Sequence, residues 1–199
     1  MEELLRRYPK TVAGRFQVRP LEAVDRDALE AFFTRIPPYE RELFADDVTR
    51  APVVRGWIRD LDYAVVLPLV AFDGPRIVAD ATLHRDNRGW FRHVGRIRIA
   101  LDPESRLQGL ARALVREFAQ LAGPLGVALL EAQVLDVQAD GQRLFEDMGF
   151  LRATTLPGHA VDQAGGVHDV HVYTLQVTPE GDWTGPAAWT GDEADIGRV

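Results

Sequence analysis

Hydrophobic residues in this chain alternate with polar ones in some stretches and recur every three to four residues in others. The change of period marks the elements. Residues 15–19 alternate, with Phe16 and Val18 on one face, and predict a short strand ahead of Pro20. Asp25 suits the N-cap of a helix carrying Ala28, Leu29, Phe32, Phe33 and Ile36, which Pro37-Pro38 ends. Residues 39–47 and 53–60 read as short helices. Residues 63–72 predict a strand, Asp73-Gly74 a hairpin turn, and 76–84 its partner. After a turn at Asp86-Asn87-Arg88-Gly89, a long strand is expected over 90–101, with Gly95 marking an irregularity.

The strongest helical period follows. Leu107, Leu110, Ala111, Leu114, Val115, Phe118, Leu121 and Ala122 fall on one face, and Gly123-Pro124 stops the helix. Residues 127–135 read as a buried strand, 138–148 as a helix closed by Gly149, and 150–156 and 168–178 as strands joined through Gly165-Gly166. The order is strand, helices, three antiparallel strands, helix, strand, helix, strand, strand. It predicts an α/β fold of the α+β type, with a mixed, mostly antiparallel sheet of about seven strands flanked by helices. Residues 179–199 differ in kind: five acids, one base, frequent Gly and Pro, and Trp183-Thr184-Gly185 repeated as Trp189-Thr190-Gly191. They read as a tail without a core of its own, so the expected division is a domain over 1–178 and a tail over 179–199. Two tryptophans in so polar a segment point to docking on some surface, with plain disorder as the rival reading.

Composition narrows the function. At 199 residues, 46% hydrophobic and 27% charged, the chain fits one soluble globular domain. Its net charge of -7 argues against nucleic acid as a partner. No apolar run reaches the ~18 residues of a membrane span, and the acid-bearing start is unlike a secretory signal, so a cytoplasmic location is expected. Cysteine is absent, Ser105 is the only serine and lies outside any G-x-S-x-G elbow, and Lys10 is the only lysine. Disulfides, thiolate metal sites, Cys or Ser nucleophiles and a Schiff base are thereby disfavoured.

The informative segment is Ile99-Ala100-Leu101-Asp102-Pro103-Glu104-Ser105-Arg106-Leu107-Gln108-Gly109-Leu110-Ala111-Arg112. A strand ends, a tight turn follows and a helix opens on glycine. Amides at a helix start have no intrahelical partner, and with the helix dipole they form an anion site suited to pyrophosphate. Gly109 allows close approach, Ala111 keeps the next turn narrow, and Arg106 and Arg112 add charge nearby. Arg106-Leu107-Gln108-Gly109-Leu110-Ala111 matches [Q/R]-x-x-G-x-[G/A], and Leu144-Phe145-Glu146-Asp147-Met148-Gly149-Phe150 follows the pattern L-Y-x-x-x-G-F. On these two motifs and the element order over 15–177, the chain resembles the GNAT superfamily of acyl-CoA-dependent N-acyltransferases.

The resemblance implies acetyl-CoA as co-substrate and no metal. Backbone groups of Ile99, Ala100 and Leu101 would pair with pantetheine, and the amides from Leu107 to Arg112 (Leu107, Gln108, Gly109, Leu110, Ala111, Arg112), with Arg106 beside them, would hold the pyrophosphate. The strand over 127–135 would splay from the one ending at Leu101. A primary amine, on a small molecule or a peptide, would arrive from the opposite side and attack the acetyl carbon. Neither nucleic acid nor membrane enters this scheme, and a homodimer is an open assembly.

Two positions depart from the family pattern. Phe145 stands where a tyrosine acid is common, and Gln138 where an asparagine is. Gln138 can still hydrogen-bond pantetheine, whereas Phe145 could only pack. Arg96 occupies the place of a frequent glutamate base. Glu131, with Gln133 beside it, is the candidate base from sequence, against the plainer reading of a surface ion pair. Asp80 and His84 share a strand face and could relay a proton through water, against the plainer reading of a solvated strand edge. His168 and His171 point to opposite faces and cannot clamp one metal. Arg85, Arg88, Arg92, His93, Arg96 and Arg98 could hold an anionic acceptor or form a solvated charged face. The expected function is N-acetyl transfer to an amine. The alternative is an acyl-CoA sensor or partner-binding module that keeps the fold without the chemistry.

Overall fold

A computed structural model describes residues 2–86, 88–106 and 108–177. The tail at 179–199, with its expected docking, lies outside the described residues. The chain begins with a helical turn, α1 (Glu2–Leu5), and a two-strand ribbon, β1 (Lys10–Val12) and β2 (Phe16–Pro20). Helices α2 (Arg26–Arg35), α3 (Pro38–Arg41) and α4 (Ala51–Arg59) follow, then strands β3 (Val66–Asp73), β4 (Arg76–Arg85) and β5 (Val94–Leu101). The remainder alternates as α5 (Leu110–Ala122), β6 (Leu129–Leu135), α6 (Ala139–Asp147), β7 (Leu151–Val161) and β8 (Val167–Gln176).

Among the described residues the strands form one eight-stranded sheet in the order β1-β2-β3-β4-β5-β6-β8-β7. All neighbours are antiparallel except β5 and β6. Parallel neighbours need a crossover connection, and α5 supplies it between β5 and β6. The sheet has one strand more than the pattern predicts. β1 is three residues long, too short to show a period, and is held from afar: Lys10 Nζ donates to the buried Glu117 of α5 at 2.6 Å and Tyr8 Oη at 3.1 Å.

Helices cover both faces. On one, Leu110, Leu114, Val115 and Phe118 of α5 and Phe145 of α6 bury against Ala81, Leu83 and Ile97. On the other, Leu29, Phe32 and Phe33 of α2 and Val54 and Ile58 of α4 bury against Val70 and Ile77. Each fully buried Leu or Phe contributes about 1.5–3 kcal/mol.

Three local expectations change. Gly95 is in regular register with Arg85 and Leu130; it is glycine because a Cβ there would lie 2.8 Å from Leu83 and 3.0 Å from Val127. One register slip sits a strand away, between β3 and β4 at Ala71/Phe72, and two more lie between β7 and β8. Asp25 precedes α2 without capping it through its side chain, which instead takes two 2.6 Å bonds from Arg19. The helix expected over 39–47 is the single turn α3, and the chain continues irregularly across the sheet.

Candidate active site

β5 and β6 pair only from Val94↔Leu129 to Ile97↔Ala132, and beyond these residues they part from each other while staying paired to β4 and β8. Which β5 groups face the opening follows from the alternation of the ladder. Asp102 N–H donates to Val78 O of β4 at 2.8 Å, while His93 O accepts from Ala128 and Leu129 on the β6 side. Even-numbered residues therefore turn their backbone toward β4 and odd-numbered ones toward β6. Ile99 and Leu101 present backbone groups to the gap. Ala100, expected to join them, is turned to Asp80.

The turn after β5 is tied down on several sides. The Asp102 carboxylate accepts from Glu104 N–H at 3.1 Å and from Arg35 Nε at 2.7 Å, and it is almost wholly buried. Gln108 Nε2 donates to Glu104 O at 2.8 Å. Gly109 has φ 74, a left-handed conformation that glycine adopts without strain, and caps α5. The Ala113 N–H to Gly109 O bond of 3.0 Å opens the helix ladder, so the amides of Leu110, Ala111 and Arg112 precede it. Leu107 lies outside the described residues. The two arginines are not free charges as expected: Arg106 forks onto Glu40 of α3 and reaches Leu101 O at 3.3 Å, and Arg112 pairs with Asp147. With the arginines neutralised by acids distant in sequence, the pull on an anion comes from backbone dipoles.

The α2 side of the sheet carries the other candidates in one row across β4, β5 and β6. Glu131 accepts from Arg96 Nε at 2.9 Å and from Gln133 at 3.1 Å. His84 Nε2 meets Thr82 Oγ1 at 2.9 Å, and burial, with Arg98 and Arg96 nearby, pushes its pKa down to about 4. Asp80 lies in an interior strand between Val70 and Ala100, both packed in the apolar α2/α4 cluster. Its Oδ1 is sealed from solvent and has no hydrogen-bond partner, and burial pushes its pKa up to about 7. The solvated-edge reading of Asp80 thus fails, because β4 has neighbours on both sides. Above this row runs the segment after α3: Asp46 pairs with Arg98 at 3.5 Å, and Glu42 O accepts from Gln163 N–H of the β7–β8 turn at 2.9 Å.

A parted strand pair leading into a glycine-capped helix start has a counterpart among known proteins. The profile of the acetyltransferase (GNAT) family matches residues 21–150, more than half of the chain. The chain belongs to the GNAT acetyltransferase family. No curated protein sequence matches it. Among solved structures, a GNAT-family acetyltransferase from Streptococcus pneumoniae superposes with a TM-score of 0.69 at 20% identity, over 82% of this chain and 100% of the other. An acetyltransferase from Salmonella typhimurium, solved with its cofactor acetyl-CoA, gives 0.68 at 19% identity, over 87% and 98%. RimL, an alpha-N-protein acetyltransferase of a ribosomal protein, solved with coenzyme A, gives 0.73 at 11% identity, over 86% and 98%. At these identities the likeness is one of fold.

The GNAT motif positions of α6 turn inward. Phe145 is buried, edge-on to Phe150 at 5.1 Å and stacked with Tyr173 at 6.4 Å. Gln138 Oε1 accepts from Leu135 N–H at 2.9 Å and so braces the end of β6. His168 bonds Asp162 at 2.8 Å and His171 bonds Thr155 at 2.9 Å, each on its own side of β8. Among the described residues no three His, Cys, Asp or Glu side chains cluster as metal ligands would.

Proposed function

We propose that the chain is an N-acetyltransferase that moves an acetyl group from acetyl-CoA to a primary amine by direct attack. The observation that carries this reading is the parting of β5 from β6 immediately before the phosphate turn. The gap leaves two residues of an edge for pantetheine, Ile99 and Leu101. The amides at Gln108 and at Leu110, Ala111 and Arg112 receive the pyrophosphate. The acceptor comes over the α2 side, beneath the segment that follows α3. Two of the solved neighbours hold acetyl-CoA or coenzyme A, and one acts on a protein's alpha-amino group, which supports an amine as acceptor. With Phe145 in place of a phenolic acid, the thiolate leaves on its own or with water's help, as a thiol with a pKa of ~8.5 can. The acceptor is a small-molecule or peptide amine, and the enzyme acts in the cytoplasm.

A second reading, an acyl-CoA sensor without turnover, draws on one observation, the burial of Phe145 at the place of the acid. A screen of amino acids, polyamines, aminoglycosides and free-N-terminus peptides for coenzyme A release from acetyl-CoA separates the two. Stoichiometric release with N-acetyl product is the expected result. Acetyl-CoA binding with no product from any amine class supports the sensor.

A further inference from the structure

The acids of this protein differ in how they are held. Asp25 is clamped by Arg19, Asp102 by Arg35, and Glu117 by Lys10 and Tyr8. Glu131 is tied to Arg96. Asp80 has no such partner at its sealed oxygen. Sealing a carboxyl oxygen without a partner is costly, and a valine would fit the same strand position without that cost. Perturbed acids of this kind gather at sites of chemistry.

Its place in the sheet gives Asp80 a use. It is paired across the ladder with Ala100, the residue between Ile99 and Leu101, so it stands one strand away from the gap. Its side chain shares the α2 face with Ala100, the side from which the acceptor comes. We propose that Asp80 is the proton acceptor for the attacking amine, an inference that rests on the transferase reading above. The ammonium gives one proton to the Asp80 carboxylate, and the freed lone pair forms the N–C bond. The C–S bond breaks with its electrons on sulfur, the second surplus proton on nitrogen passes to the thiolate, and Asp80 returns its own proton to solvent.

The surrounding groups leave Asp80 free for this role. On its own strand, Thr82 follows and is bonded to His84, which stays neutral around pH 7. On β5, Ala100 is opposite, and Arg98 one step along is paired with Asp46. On β3 the neighbour is Val70. From α2, Arg35 is committed to Asp102 and to Ile77 O, and α4 buries the apolar Val54 and Ile58 in the same cluster as Val70. Glu131, the candidate from sequence, is by contrast already engaged, accepting from Arg96 Nε and from Gln133 Nε2.

The test compares wild type with Asp80→Asn, which keeps shape and size. Acetyl-CoA affinity is followed by calorimetry, and kcat/KM with the best amine of the panel is followed across pH. The expected result is unchanged acetyl-CoA binding, a fall in kcat/KM on the order of a hundredfold or more, and loss of a rising limb centred near 7, with partial recovery in Asp80→Glu. If the amine is acetylated and Asp80→Asn keeps both its rate and that limb, the assignment of Asp80 is wrong while the transferase reading stands. If wild type binds no acetyl-CoA, or acetylates none of the panel, the transferase reading falls and the role of Asp80 with it.

Discussion

The two sides of the gap are built differently. On the donor side, the described residues of the turn are tied at several points: Arg35 holds Asp102, Glu40 holds Arg106, Gln108 holds Glu104 O, and the helix start offers amides. On the acceptor side, the row across β4, β5 and β6 contains an acid with a sealed, unpartnered oxygen and a histidine kept neutral. A rigid donor side suits a ligand that is the same in every turnover. A strained acceptor side suits proton transfer, because an acid whose pKa lies near the working pH can both take and release a proton.

The largest effect expected from breaking this contrast is at Gly109. Gly109→Glu places a carboxylate where the pyrophosphate would lie and a side chain at φ 74. Acetyl-CoA affinity should fall at least about a hundredfold, roughly 2.7 kcal/mol, in a protein whose circular dichroism is still native. Unchanged calorimetric affinity would remove the phosphate site from Gly109.

Next comes the clamp on the donor turn. Arg35→Ala leaves the buried Asp102 with the Glu104 N–H and, as a cation, Arg76 at 3.6 Å. Breaking a buried pair on one side costs about 3 kcal/mol, to be read by urea unfolding, and acetyl-CoA binding should weaken with it. Full stability in this variant would mean that Arg35 does not hold the turn.

A smaller effect, of opposite sign, belongs to the acceptor side. The Asp80 pKa of about 7 is raised above the ordinary ~3.9 of an unfolded chain. Below pH 4 both states are protonated and Asp80 costs nothing. Between 4 and 7 the native state binds more protons, so stability falls as pH rises, and the full cost is present above 7. Asp80→Asn should therefore raise Tm at pH 8, by roughly 2–4 °C for a gain near 1 kcal/mol, and leave it unchanged at pH 4. An equal change at both pH values would show that Asp80 ionises normally.

The smallest effect concerns Phe145. Between Phe150 and Tyr173 its ring is packed rather than presented to the gap. Phe145→Tyr should leave turnover within about twofold and cost on the order of 1 kcal/mol for a buried hydroxyl. A tenfold rise in turnover would show that the ring edge reaches the leaving thiolate.

What could be read from the sequence follows the same division. The donor side is local: strand, turn, Gly109 and α5 follow one another without interruption from Val94 to Ala122, so period and motif expose them together. Its arginines look like free charges in the sequence because Glu40 and Asp147 come from 66 and 35 residues away. The acceptor side is non-local throughout. Asp80 looks like any polar residue in an alternating strand until β3, β5 and the α2/α4 layer close around it. Glu131 looks available until β5 brings Arg96 beside it. Ala100 could be separated from Ile99 and Leu101 only once the ladder showed which amides face β4. Gly95 reads as an irregularity because glycine often marks one, whereas here the glycine only makes room for Leu83 and Val127.

The central claim, that the donor lies along the freed edge of β5, is tested most directly by residue-resolved amide hydrogen exchange with and without acetyl-CoA. The Ile99 and Leu101 amides and those of Leu110, Ala111 and Arg112 should exchange more slowly when acetyl-CoA is bound. Ala100, already paired with Asp80 in the ladder, should not change. Protection gained elsewhere on the sheet, with Ile99, Leu101 and the helix start unaffected, would contradict the account.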